Sequence, residues 1–141
     1  MSNIKFIESN GFVKSFTGFV SQNETKCEIV EGGNAMYSDV VYIYVNKDTE
    51  AVEYIGETGQ MAKTRTFRHW SKFNLYRNHI NRKPWADRWS SAMVGVRFDI
   101  YVKPAKQIEI VKGHRVSARH AEEQTYIEIF PNRINIKGVK K

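Results

Sequence analysis

VVYIYVNKDTEAVEYIG, residues 40–56, decides the fold. Residues 40–45 and 51–56 are two short runs of β-branched and aromatic residues, the composition that suits a pleated, half-buried surface. The polar NKDTE between them is long enough for a hairpin turn and too short for a crossover. An antiparallel hairpin follows. Side chains alternate along a strand, so Tyr42 and Tyr44 share one face of the first run, and Val52 and Tyr54 share one face of the second. Pairing the runs brings Tyr42 and Tyr54 onto a common surface. Gly56 is expected to end the second strand, its missing Cβ leaving room for backbone or substrate to approach.

Outward from this hairpin, IKFIE, FVKSFTGFV and KCEIV upstream read as short strands, separated by turn-forming SNG and SQNET. EGGNAMYSD is a loop. Downstream, the pattern predicts a helix from about Met61 to Tyr76 and a second from Trp85 to Met93, opened by Pro84. VRFDIYV (96–102) and QIEIV (107–111) read as strands. A last helix is expected from an N-cap at Ser117 to Phe130, with Pro131 as its stop. The fold class is α+β: a small, mostly antiparallel central sheet flanked by helices, with an N-terminal β extension.

A chain of 141 residues fits one well-packed domain. A single cysteine, Cys27, excludes an intrachain disulfide and a thiolate metal cluster. No apolar run approaches the roughly 18 residues of a membrane span, and the N-terminus lacks the apolar region of a signal peptide. The expectation is a soluble, cytoplasmic protein. Lys and Arg number 22 against 15 Asp and Glu, a formal charge of +7, which suits a polyanionic partner such as nucleic acid. The basic residues concentrate in Lys63, Arg65, Arg68, Lys72, Arg77, Arg82, Lys83 and Arg88, with Asp87 the one acid in that stretch and Trp70, Phe73, Tyr76, Trp85 and Trp89 interleaved.

Two helical projections carry chemistry. Arg65, His69, Lys72 and Tyr76 recur at i, i+4, i+7 and i+11, one narrow stripe beside an apolar face of Phe67, Trp70 and Phe73. Such a stripe is either a solvated face or a polar site. On the last helix, at about 100° per residue, Glu123 lies at the centre of an arc of Tyr126, Ile127 and Phe130, while Glu122 falls at its edge. A carboxylate on a packing face must be paired, protonated or bound to a cation. An ion pair and Mg²⁺ both answer that need.

Tyr42 in VVY, Tyr54–Gly56 in YIG, then Arg65, His69 and Glu123 resemble the GIY-YIG nuclease superfamily. EQTYIEIFPNRIN is similar to that family's closing pattern, mapping Glu123, Ile127, Pro131 and Asn135. The resemblance covers about residues 39–136 and is nearest to small phage or restriction endonucleases. It divides the chain into an N-terminal β extension (1–38) packed on a nuclease domain (39–141). The first motif lacks its glycine, and Glu57 stands where relatives often carry a basic or polar residue. Tyr44 is an alternative first-motif tyrosine.

The resemblance implies a Mg²⁺-dependent DNA endonuclease, with Mn²⁺ as a substitute metal, in a bacterial cell or phage-infected host. Tyr42 would activate water, Tyr54 and His69 would assist, Arg65 would clamp the phosphate and Glu123 would hold the metal. Lys63, Arg68, Lys72, Arg77, Arg82, Lys83 and Arg88 would track the nucleic-acid backbone. Gly56 and Asn135 would be structural, Asn135 tying the chain end to the core. RNA cleavage, a homo-oligomer on DNA, and a non-catalytic binding module on the same fold remain open alternatives. His79, His114 and His120 fall in no ligand pattern.

Overall fold

Hydrophobic residues at both parities of the central strands demand cover on both faces of a sheet, and the structure supplies it. The computed structural model describes residues 2–20, 25–77, 95–132 and 135, and the backbone alone of residues 20, 25, 69 and 71–77. In chain order the elements are α1 (Asn3–Ser9), β1 (Val13–Val20), β2 (Thr25–Ile29), β3 (Ser38–Asn46), β4 (Val52–Met61), α2 (Ala62–Arg77), β5 (Arg97–Pro104), β6 (Gln107–Val111), β7 (His114–Ser117) and α3 (Arg119–Ile129).

Five strands form one sheet in the order β2-β1-β5-β3-β4, and β6 and β7 form a separate two-stranded ribbon. Every described pairing is antiparallel. The class is therefore α+β with a small antiparallel central sheet, as the sequence indicates. One face packs Phe16, Val40, Tyr42, Tyr44, Phe98 and Ile100 against Ala62 and Trp70 of α2. The other packs Val41, Ile43, Ile55 and Tyr101 against Ile7 of α1 and Tyr126 and Ile127 of α3. Each face thus takes alternate residues of β3, and Val40 to Val45 are all buried. The edge strand β4 runs between α2 on one side and α3 on the other.

Three local expectations need correction. IKFIE is helical: the Ser2 side chain accepts from the Lys5 backbone N–H at 3.1 Å and caps α1. Ile4, Phe6 and Ile7 then meet the second core. β4 does not stop at Gly56 but continues to Met61, because Glu57 and Thr58 still pair with Val41 and Val40. The last helix starts at Arg119, with Ala118 in the cap position. Ser117 ends β7, accepting from the Arg119 N–H at 3.1 Å while its hydroxyl donates to Asp39 at 2.6 Å. The helix expected over Trp85–Met93 lies outside the described residues.

β1 pairs with β5, which pairs in turn with β3, so residues upstream of 39 supply two of the five strands of the sheet.

Candidate active site

The hairpin places Tyr42 across from Gly56 and Tyr44 across from Tyr54. The three phenol rings cluster, with Tyr42 centred 6.1 Å from Tyr54 and 6.1 Å from Tyr44. A Cβ on Gly56 would stand 2.5 Å from the Tyr42 Cζ and Oη. The glycine therefore makes room for a ring of its own chain, which sharpens the sequence expectation about approach.

The phenols differ in environment. Tyr44 accepts from the Trp70 indole N–H at 3.2 Å, which anchors it to α2. Tyr42 faces Arg65. Burial raises the Tyr42 phenol above 10, while the charge of Arg65, its hydrogen bond and a hydrogen bond from Tyr54 pull it back; Glu123 adds a small upward push. Burial drives Tyr44 and Tyr54 well above 10, with the neighbouring phenols adding to it. The net shift of Tyr42 is upward as well, but of the three it is the phenol on which the charge of Arg65 exerts the leading opposing pull. Arg65 is half-buried, and its Nε has no hydrogen-bond partner among the described residues.

On the α3 side of β4 lies a second polar group. Alternation puts Glu57 on the same strand face as Ile55, toward α3. There Glu57, His120 and Glu123 each present one ligand atom, all within 4.8 Å of one another. Glu57 Oε1 accepts from Arg119 Nε at 2.7 Å, and Arg119 reaches on to Asp39 at 2.8 Å. His120 Nδ1 stands 3.9 Å from Glu57 and 3.8 Å from Glu123. Burial pushes the Glu123 carboxyl above 4.5, aided by the charge of Glu57 and opposed by Gln124, His120 and Arg65. Two carboxylates and an imidazole at this spacing suit a divalent cation. Charge links the two groups weakly: Glu123 raises Tyr42 and Tyr54, and Arg65 lowers Glu123.

The remaining sequence candidates separate. Glu122 does not join the cluster; it pairs with Lys103 at 3.1 Å. Asn135 is buried, accepting from the Ile55 N–H and donating to the Ile55 carbonyl, both at 2.8 Å. Lys63 is half-buried at the start of α2, and Arg68 is exposed one turn beyond Arg65. The side chains of His69, Lys72 and Arg77, and all of Arg82, Lys83 and Arg88, lie outside the described residues. Glu57 and His120 were missed as members of the cluster. Their one sequence signal was the i, i+3 relation of His120 to Glu123; nothing local announces Glu57.

No protein-family model and no curated protein matches the sequence. The fold is similar to that of a bacteriophage T4 EndoII mutant, with a TM-score of 0.65 at 14% identity over 94% of this chain and 97% of that one. It is also similar to restriction endonuclease HPY188I in complex with product DNA, with a TM-score of 0.52 at 12% identity over 100% of this chain and 87% of that one. At these identities the likeness is one of fold.

Proposed function

We propose that the protein is a divalent-metal-dependent DNA endonuclease of GIY-YIG type, of the phage or restriction kind. The observation that carries this reading is the cluster of Tyr42 and Tyr54 under the charge of Arg65 and Glu123, on a fold similar to two endonucleases. The basic charge of +7 supports a DNA partner.

Tyr42 takes the proton from the attacking water. A phenol is a weak base at neutral pH, so its competence depends on Arg65 and on the hydrogen bond from Tyr54, which stabilise the phenolate. Arg65 then serves the phosphate: its half-buried guanidinium stabilises a non-bridging oxygen as charge builds in the transition state. Tyr54 holds Tyr42 in place. His69, one turn after Arg65, orients the first tyrosine or assists proton transfer. Glu123 would hold the Mg²⁺ or Mn²⁺, which when bound would supply charge neutralisation at the phosphate and ease departure of the 3′-oxygen. Lys63, Arg68, Lys72, Arg77, Arg82, Lys83 and Arg88 contact the nucleic-acid backbone, giving salt-dependent binding with little sequence information. The host is a bacterial cell or a phage-infected one, and a homo-oligomer on DNA is a corollary wherever both strands are cut.

Incubating supercoiled plasmid with the protein and Mg²⁺ or Mn²⁺ tests the proposal. Nicking by the parent but not by Tyr42→Phe or Glu123→Ala is the expected result. Retention of DNA without cleavage under either metal overturns catalysis in favour of a binding module. Cleavage of RNA and not of DNA in parallel reactions reassigns the substrate.

A further inference from the structure

Glu57 and His120 have no task in that mechanism, yet the fold brings both to Glu123. Glu57 comes from the edge strand β4, and His120 and Glu123 lie one turn apart on α3. The gaps of 3.9 and 3.8 Å from His120 Nδ1 to the two carboxylates are too long for hydrogen bonds. They are close to the roughly 3–4 Å that separates donors sharing one ion at bonds of about 2.1 Å.

Arg119 supplies a second, independent constraint. Its guanidinium is held between Glu57 and Asp39, at 2.7 and 2.8 Å. It occupies one oxygen of Glu57 and leaves Oε2 turned to the cluster. That is the work of an outer-shell partner, which fixes a ligand's orientation. The charges point the same way. Asp39, Glu57 and Glu123 bring three negative charges into this corner against the guanidinium groups of Arg119 and Arg65, so the corner keeps an excess of negative charge that favours a cation.

We propose that Glu57, His120 and Glu123 form a single three-donor cation site, and that its imidazole makes the site prefer Mn²⁺ to Mg²⁺. Mg²⁺ dehydrates reluctantly and takes oxygen ligands, whereas nitrogen donors favour first-row transition ions. Arg119 is a positioning residue for Glu57. The proposal draws its purpose from the nuclease reading, but its test reads metal binding without DNA.

The full chain is titrated with Mn²⁺ at neutral pH while free aquo-Mn²⁺ is followed by electron paramagnetic resonance, with Mg²⁺ as competitor. One Mn²⁺ should bind, and its spectrum should carry nitrogen coupling from an imidazole. His120 is 76% exposed, so His120→Ala leaves folding intact, as a thermal melt will verify. This variant should lose the nitrogen coupling and about tenfold in Mn²⁺ affinity, with Mg²⁺ affinity changed less than about twofold. Glu57→Gln should weaken both ions, and Arg119→Met should weaken Mn²⁺ roughly tenfold. Unchanged Mn²⁺ binding in His120→Ala, or a parent spectrum without nitrogen coupling, overturns the proposal. Mn²⁺ bound as described with no plasmid cleavage would sink the nuclease reading and leave the site standing. Cleavage with an adventitious, nitrogen-free Mn²⁺ would do the reverse.

Discussion

Tyr42 lies directly across the β3–β4 ladder from Gly56, and the two can be neighbours because position 56 has no side chain. A methyl group there would come within 2.5 Å of the Tyr42 Cζ and Oη and 2.6 Å of its Cε1. The ring is 1% exposed and has nowhere to retreat. Gly56→Ala should therefore cost about 1–3 kcal/mol by overpacking, lower the melting temperature and displace the Tyr42 hydroxyl from Arg65. A melt and a nicking assay that both match the parent would refute this account of the glycine.

The neighbouring tyrosines should respond differently to loss of a hydroxyl. Tyr42→Phe should reduce nicking by roughly 10²–10⁴-fold with little change in stability, the scale of losing a positioned acid–base group. Tyr44→Phe instead breaks the bond to Trp70. It should cost about 1 kcal/mol in stability and leave nicking within a few-fold of the parent. If Tyr44→Phe abolishes cleavage while Tyr42→Phe keeps it, the roles are exchanged.

Glu123 should link activity and stability in opposite senses. Burial raises its carboxyl above 4.5, so metal-dependent nicking should decline as pH falls through a value above 4.5. The same shift costs stability when the group is ionised: the folded chain holds this proton more tightly than the unfolded one. The stabilising contribution is present at low pH and lost as pH rises through the folded value. In chelator at neutral pH, Glu123→Gln should then melt higher than the parent, with the gap closing below about pH 4.5. A variant that melts lower at neutral pH would contradict the desolvation argument.

Asp39 works the other way. Partial burial pushes its carboxyl up, but hydrogen bonds from Ser117, Arg119 and Gln107 outweigh that and hold it below 3.8. Its contribution is present above the unfolded value and disappears as pH falls through the lower folded one. Asp39→Asn should lose stability at neutral pH and match the parent in acid, as read from melts across a pH series.

Behind α3, the ammonium of Lys103 bonds Glu122 at 3.1 Å and Tyr126 at 3.2 Å, and both charged side chains are largely buried, 11% and 13% exposed. Removing one partner of such a pair is costly. Lys103→Met should destabilise by about 3 kcal/mol, whereas Lys103→Met with Glu122→Leu should recover most of the loss. Denaturant titrations of the two single variants and the double variant measure it. A double variant as unstable as the sum of the singles would show that the pair contributes no coupling.

Much of this was legible in the sequence because the signals were local. The alternation of VVYIYV and AVEYI fixed the hairpin and the shared face of Tyr42 and Tyr54, and helical periodicity put Glu123 on the packing side of α3. What escaped was decided between distant segments or between two equally good local patterns. IKFIE satisfies a two-residue repeat and a helical one over so few positions that only the Ser2 cap separates them. The residues after Gly56, ETGQ, have weak strand preference; their pairing with Val40 and Val41 overrides it. The Glu57–Arg119 bond joins residues 62 positions apart, and no spacing rule reaches across such a gap. His120 looked idle for the same reason: its significance comes from β4 and not from its own helix.

The two strands and one helix that precede β3 bear on how the molecule can be cut down. Phe12 meets Tyr126 edge-on at 5.1 Å, Phe6 meets Phe130 at 5.7 Å, and β1 hydrogen-bonds along β5. A fragment beginning at residue 39 would strip one rail of β5 of its partner and leave the helix that carries Glu123 without the rings it leans on. Trimming from that end would remove the packing beneath Glu123 along with the strands, so a minimal folded unit has to keep them.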